Sequence, residues 1–326
     1  MKLVAFGELL LRLDTKGFER FVQAGEFTAR YTGGEANVAA ALALWGHTTF
    51  AVSKVPSHEM GQACVNYLRQ FGVNTDWVAR GGDRLGILYV ETGASQRPSK
   101  VLYDRAHTSF REARPEDFDW ATILAGKNWL HFTGTAPAVG QGVRRALEDA
   151  LRTARRLGVT VSFDCNYRST LWSVDEARTV LPPLMEHVDM FVGTTYDTEI
   201  LFDIPGTPGQ SAARLRERFG CRHVAYTLRQ AESASVNRLA GMLSAAEGSW
   251  TSREYEMQLV DRIGGGDAFT AGLIHGITSG WDGQRAVEFA VAASCLKHSI
   301  PGDFNLVSLE EVQQLVETGE AGRVRR

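Results

Sequence analysis

Cysteine is scarce in this chain: four in 326 residues, at positions 64, 165, 221 and 295. They are scattered singly, without a Cys-x-x-Cys pair, which argues against both a disulfide scaffold and a zinc module. An excess of either charge is also lacking. The formal net charge is −3, so no global positive field exists to gather a phosphate backbone, and no nucleic-acid partner is expected. The basic tail Arg323-Val-Arg-Arg326 is short and reads as a solvated terminus. Nothing approaches the run of about 20 apolar residues that crosses a membrane, so no membrane partner is expected. Leu3-Val-Ala-Phe6 follows almost directly on Met1, with no basic region leading into a long apolar core, so no secretory leader is expected either. Proline-rich linkers and low-complexity stretches are missing too, which leaves one core domain over residues 1–326. A hydrophobic share of 44% with 22% charged residues fits an ordinary globular protein. These features together predict a reduced, cytoplasmic protein.

What is present is a rhythm. Leu3–Phe6 reads as a buried strand closed by Gly7. Gly33-Gly34 opens an Ala-rich helix, and Gly46 ends it as a left-handed cap. The same ending recurs at Phe71-Gly72, Leu157-Gly158 and Phe219-Gly220, and apolar strand-like runs such as 159–163 and 224–228 follow. Helices alternating with nearly continuous apolar strands predict an α/β fold with a mostly parallel sheet covered on both faces. Two β-rich stretches interrupt this order. From Glu8 to Tyr31 the pattern alternates at period two, with Leu9, Leu11 and Leu13 on one side. Leu85–Glu91 and Lys100–Arg105 form a hairpin pattern around the polar turn 92–99. Together, at about 8–32 and 82–110, they predict a small antiparallel sheet standing apart from the core.

The chemistry concentrates in Asp261-Arg-Ile-Gly-Gly-Gly-Asp-Ala-Phe-Thr-Ala-Gly272. Gly264, Gly265 and Gly266 let the backbone turn with its N–H groups pointing one way, and the first turn of the helix behind adds more unpaired N–H groups and a positive dipole end. That is a cradle for an anion. Asp267 stands at its mouth, where a carboxylate repels a phosphate. The placement makes sense if Asp267 takes a proton from a hydroxyl while the cradle holds the phosphoryl group under attack. Taken alone, Gly-Gly-Gly-Asp is equally a glycine loop with an acidic helix cap.

The longer string resembles the C-terminal signature of the ribokinase-like (PfkB) sugar kinases, Asp-x-x-Gly-x-Gly-Asp-Ala-Phe-x-Ala-Gly. The family's usual middle residue is Ala; Gly265 reads as a mild departure that adds flexibility. Gly33-Gly34-x-x-Asn37 matches the N-terminal signature, where two glycines admit sugar hydroxyls to the backbone and an amide both donates and accepts. The resemblance implies a three-layer α/β/α core, ATP and Mg2+ as cofactors, and a β lid over the sugar that is also the contact of a homo-dimer.

Tyr89, Tyr103 and Arg105 lie on the predicted hairpin, with Tyr103 and Arg105 on one strand face. Arg168 follows a strand end, where α/β proteins place ligands. Two guanidiniums among phenols suit a carboxylate-bearing substrate, and surface pairing with a local acid such as Asp104 is the plainer alternative. Gly93–His107, Asp164-Cys-Asn-Tyr-Arg168 and Ala292–Asn305 look like the 2-keto-3-deoxygluconate kinases within the family. There Gly34, Tyr89, Tyr103, Arg105, Arg168 and Asp303 match substrate positions and Asp267 the base. The implied reaction is ATP-dependent phosphorylation of the sugar acid to its 6-phosphate; fructose, ribose, the galacto epimer, or a catalytically impaired sugar-acid-binding regulator are the rival readings. On the nucleotide side stand Asn166, Thr227, Arg229, Gly264 and Gly266, with Arg229 replacing the glycines that many relatives carry after that strand, and helix residues 292–297 bordering the adenine. The family's Asn-x-x-Glu, which helps hold Mg2+ through water, falls at Thr194-Thr-Tyr-Asp197, with Glu199 nearby. His131, inside an apolar strand, and His298 lack ligand-spaced companions and are given no role.

Overall fold

The computed structural model describes residues 1–319; residues 320–326, and with them the basic tail at 323–326, lie outside the described part. Its main sheet runs β13 (Gly248–Thr251), β12 (Val236–Ala245), β11 (His223–Ala231), β10 (Met190–Gly193), β9 (Thr160–Asp164), β8 (Trp129–Thr133), β1 (Lys2–Phe6), β4 (Thr48–Val55) and β5 (Asn74–Arg80), and β14 (Tyr255–Gln258) also pairs with β12. From β11 to β5 every neighbouring pair is parallel, and the pairs made by β12 are antiparallel. Residues 230–241 are mostly strand, in a hairpin between β11 and β12.

Alternation along each strand sorts side chains into two cores. Leu3 and Ala5 of β1 face one core while Val4 and Phe6 face the other, and Met190 and Val192 oppose Phe191 in the same way. The first core is closed by α1 (Gly34–Leu44), α2 (Glu59–Gln70), α9 (Gly265–Thr278), α10 (Gly283–Lys297) and α11 (Leu309–Thr318). The second is closed by α3 (Trp120–Leu124), α4 (Ala136–Val139), α5 (Gln141–Leu157), α6 (Val174–Met185), α7 (Thr195–Phe202) and α8 (Pro208–Phe219). Three layers result, as the alternating pattern predicts. Gly46, Gly72, Gly158 and Gly220 adopt positive φ where their helices end. No helix of the described residues is long and apolar enough to cross a membrane.

The smaller sheet has the order β3 (Phe27–Thr32), β2 (Leu10–Thr15), β6 (Gly86–Glu91), β7 (Lys100–Asp104). It is mixed rather than antiparallel. Its central pair, β2 with β6, is parallel, because the two strands leave the core on separate excursions and enter the sheet in the same direction. The alternation in β2 is also inverted relative to a simple apolar-in reading: Arg12 is 1% exposed, while Leu11 and Leu13 are only half-buried. The buried face of this sheet carries Arg12 and Asp14 together with Leu10, Leu88 and Val90.

Candidate active site

Gly264 caps α9 in the left-handed conformation (φ +85°), and a Cβ there would stand 2.0 Å from the Asp303 carbonyl oxygen, so only glycine fits. The first N–H to find a helical carbonyl is that of Ala268, which donates to Gly264 O at 2.9 Å. The N–H groups ahead of it form the open cradle expected of a helix start. Gly266 faces open space. Gly265 does not: a Cβ on it would collide with the His298 ring at 2.2 Å. Its glycine is thus required by a neighbour rather than being a source of flexibility, which corrects the reading from sequence.

Asp267 lies in the first turn of α9, 9% exposed. Asn37 Nδ2 donates to its Oδ2 at 2.6 Å, so the amide from the N-terminal signature holds the acid of the C-terminal one. Gly34 sits on the other flank, where a Cβ would be 3.6 Å from Asp267 Oδ1 and 3.3 Å from the Thr133 methyl. Burial pushes the Asp267 carboxyl up to about 8, and the nearby Asp164 charge adds to the rise, while the Asn37 bond opposes it. Asp164, at the end of β9, is itself raised to about 6 by burial. Glu35, which accepts from the Thr133 N–H at 3.0 Å and hydroxyl at 2.8 Å, is raised to about 7 for the same reason. Asp267 and Asp164 thus face one pocket, with Glu35 buried behind its wall, and full ionisation there is unfavourable, an arrangement typical of sites that move protons.

The cavity around Asp267 measures about 1110 Å3 and extends in two directions. Toward the small sheet it is lined by Gly33, Gly34, Asn37, Tyr103, Arg105, Arg168 and Asp303. Arg105 lies over the Tyr103 ring at 4.5 Å, and its Nε forms an ion pair with buried Glu8 at 3.2 Å. The neighbouring acid, Asp104, pairs instead with Arg84 at 2.6 Å, so the acid that Arg105 meets is Glu8. Arg168 is exposed at the rim and donates only to the Tyr167 carbonyl at 3.3 Å, with no carboxylate in ion-pair reach among the described residues. Asp303 is buried and accepts from Arg12 Nη1 and the Thr32 hydroxyl. Arg12 also binds Asp14 at 2.5 Å and Asp261 at 2.5 Å, tying the small sheet to the loops on either side of α9 and α10.

Toward β11 the cavity is lined by Asn166, Thr194, Thr227, Arg229, Arg262, Gly264, Gly266 and Ser294. Of residues 292–297 only Ser294 reaches the cavity wall; Ala292 and Ala293 are packed in the core. Lys297 is 0% exposed and its ammonium donates to the carbonyls of Asp261 at 3.2 Å and Ile300 at 3.4 Å, pinning one loop to the other.

Some expected residues fall elsewhere. Tyr89 pairs across the sheet with Leu102 and lies against Phe27, on the face opposite Leu88 and Tyr103, so strand alternation turns it away from the cavity. Asp197 is a helix cap: its Oδ2 accepts from the Thr194 N–H at 2.8 Å and hydroxyl at 2.6 Å, one layer behind the cavity wall. Glu199 is exposed and outside the lining. Sequence reasoning missed Glu8, Arg12, Glu35, Asp164 and His298. Asp164 alone had a signal, its place at a strand's carboxyl end.

Comparison with known proteins gives the family and the fold. The family described as pfkB family carbohydrate kinase matches residues 1–305. A 2-dehydro-3-deoxygalactonokinase of Haloferax volcanii is 31% identical over 98% of this chain and 98% of its own. A 2-dehydro-3-deoxygluconokinase of Thermoproteus tenax is 30% identical over 97% of this chain and 94% of its own. The crystal structure of 2-dehydro-3-deoxygluconokinase from Thermotoga maritima superposes with a TM-score of 0.96 at 45% identity, covering 97% of this chain and 98% of that one.

Proposed function

The chain belongs to the pfkB family of carbohydrate kinases and is a phosphotransferase of its sugar-acid branch; from this premise we propose that it phosphorylates 2-keto-3-deoxygluconate (2-dehydro-3-deoxygluconate) on its 6-hydroxyl, with ATP as donor and Asp267 as general base. One observation carries the reading. The Asp267 carboxylate stands where the helix cradle, Gly34 and Asn37 meet, in a single cavity that reaches Arg105 and Arg168 at one end and Arg229 at the other.

Arg168 and Arg105 hold the sugar acid's carboxylate at the lid end, with Tyr103 against the chain of carbons. This leaves the far hydroxyl at Asp267. Asp267 removes the hydroxyl proton as its oxygen bonds to the γ-phosphorus, the bridging P–O bond breaks, and ADP departs with the bond's electron pair. The N–H groups at the start of α9 carry the negative charge that spreads over the transferring group. For Mg2+ the donor chemistry fits at the cavity wall, where the Asp164 carboxylate would hold the ion through water, while Asp197 caps α7 behind it. When bound with the nucleotide, Mg2+ supplies neutralisation of phosphate charge.

The galacto epimer is a second reading, supported by the name of the Haloferax relative. A neutral sugar such as fructose or ribose leaves Arg168 without purpose, and an inactive sensor leaves the buried Asp267 unexplained. The lid's outward face, with Leu102 51% and Phe27 40% exposed, supports a dimer formed through it. The test is Asp267→Asn assayed by ADP release: sugar-acid binding persists and turnover falls by about 10^3–10^4. Near-normal turnover defeats the assignment.

A further inference from the structure

Two arginines at the nucleotide end of the cavity have no acid beside them. Among the described residues neither Arg229 nor Arg262 reaches a carboxylate within ion-pair distance, although both line the cavity and Arg229 is exposed. The side-chain partner of Arg229 is His298, with Nη2 to Nε2 at 2.9 Å. A guanidinium only donates, so Nε2 presents its lone pair and the ring proton sits on Nδ1. There it donates to the Ser294 carbonyl at 2.6 Å. Both ring nitrogens are committed, which fixes the neutral tautomer; burial, helped by the neighbouring arginine, lowers the ring to about 4 and keeps it neutral.

The ring is also held on its flank. A Cβ on Gly265 would lie 2.2 Å from Cε1 and 2.6 Å from Nε2, so the missing side chain in the middle of the cradle is the space the imidazole fills. Ser294 Oγ then closes the loop by donating to the Gly265 carbonyl at 2.7 Å. A histidine that merely filled a hole would not need to turn its one lone pair on a cation. Nor would a cation meant for internal balance be set against a neutral ring when a carboxylate would hold it more strongly. Paired this way, Arg229 is fixed in direction and keeps its charge for a ligand.

We propose that His298 is a positioning residue that braces the Arg229 guanidinium beside the cradle so that it grips a phosphate of the nucleotide, with Arg262 directed at the same anionic tail. The inference rests on the kinase reading above and adds to it a device built from Gly265, His298 and Arg229.

The test is calorimetric binding of ADP and of adenosine to the wild type, to His298→Ala, to His298→Gln and to Arg229→Met. In His298→Ala the affinity for ADP falls about tenfold, the scale of one charge-assisted hydrogen bond, while adenosine binding is unchanged. His298→Gln, whose amide both donates and accepts, recovers most of the loss. The double variant Arg229→Met/His298→Ala binds ADP no worse than Arg229→Met alone, because His298 acts only through the arginine. In turnover, KM for ATP rises and KM for the sugar acid stays. Equal losses for ADP and adenosine, or additive losses in the double variant, overturn the proposal and leave His298 a packing residue. A wild type that binds no nucleotide refutes the kinase reading instead. A wild type that binds ADP alongside an unaffected His298→Ala refutes the brace alone.

Discussion

The two ends of the cavity handle charge in opposite ways. At the lid end the buried cation Arg12 is balanced inside the protein by Asp14, Asp261 and Asp303. At the nucleotide end Arg229 meets a neutral imidazole, and neither it nor Arg262 has a described carboxylate in reach. The first arrangement fixes structure, because each charge satisfies another and the small sheet is thereby locked to residues 261 and 303. The second leaves positive charge unspent until an anion arrives. Arg168 differs from Arg12: it is exposed at the rim with no carboxylate in ion-pair reach among the described residues, and the proposed function gives it the substrate's carboxylate.

Removing a cation from each end separates these roles. Arg12→Met leaves three carboxylates facing one another in the interior, and the expected loss of stability is about 3–5 kcal/mol, read from urea unfolding. Arg229→Met leaves no carboxylate behind, so its unfolding midpoint stays near that of the wild type while ATP binding weakens. Similar unfolding losses in both variants would erase the contrast. Arg168→Ala sharpens it from the substrate side. Losing a charge-assisted pair worth about 1.5–3 kcal/mol raises KM for the keto-acid by tenfold or more and leaves a neutral sugar, however poor, unaffected. A parallel loss for both sugars would show that Arg168 does not meet the carboxylate.

Much of this molecule was legible along the chain because the relevant signals are local. Helix ends at glycine, apolar strand runs, and the glycine cradle before Asp267 each depend on a few consecutive residues, and each is found where expected. What was not legible is assembled across the chain. Arg12 and Asp303 are 291 positions apart, and nothing near either one announces the other. That the Arg12 side of β2 is the buried one was not legible, because alternation gives the period and not the direction. Tyr89 was misplaced for a related reason: its strand was right, but which face meets the cavity depends on how β6 pairs with β7. Gly265 looked like a neutral variation until the His298 ring filled the space beside it.

The smallest expected effect concerns protons at the boundary between the two ends. Asp267 is raised to about 8, by burial first and by the Asp164 charge second. A raised carboxyl is protonated and useless as a base below that value, so kcat/KM climbs as pH rises toward about 8 and then levels. The same sign governs folding. A carboxyl whose folded value lies above its unfolded one contributes stability at low pH that is lost as pH rises through the folded value, so the ligand-free protein weakens between about 4 and 8 on account of this group. Asp164→Asn removes the second cause and leaves the first. The acid limb of the kcat/KM profile therefore moves to lower pH, and the loss of stability at high pH becomes shallower. An acid limb that stays in place would mean that the proton acceptor is not coupled to Asp164, and the base would have to be sought elsewhere in the cavity.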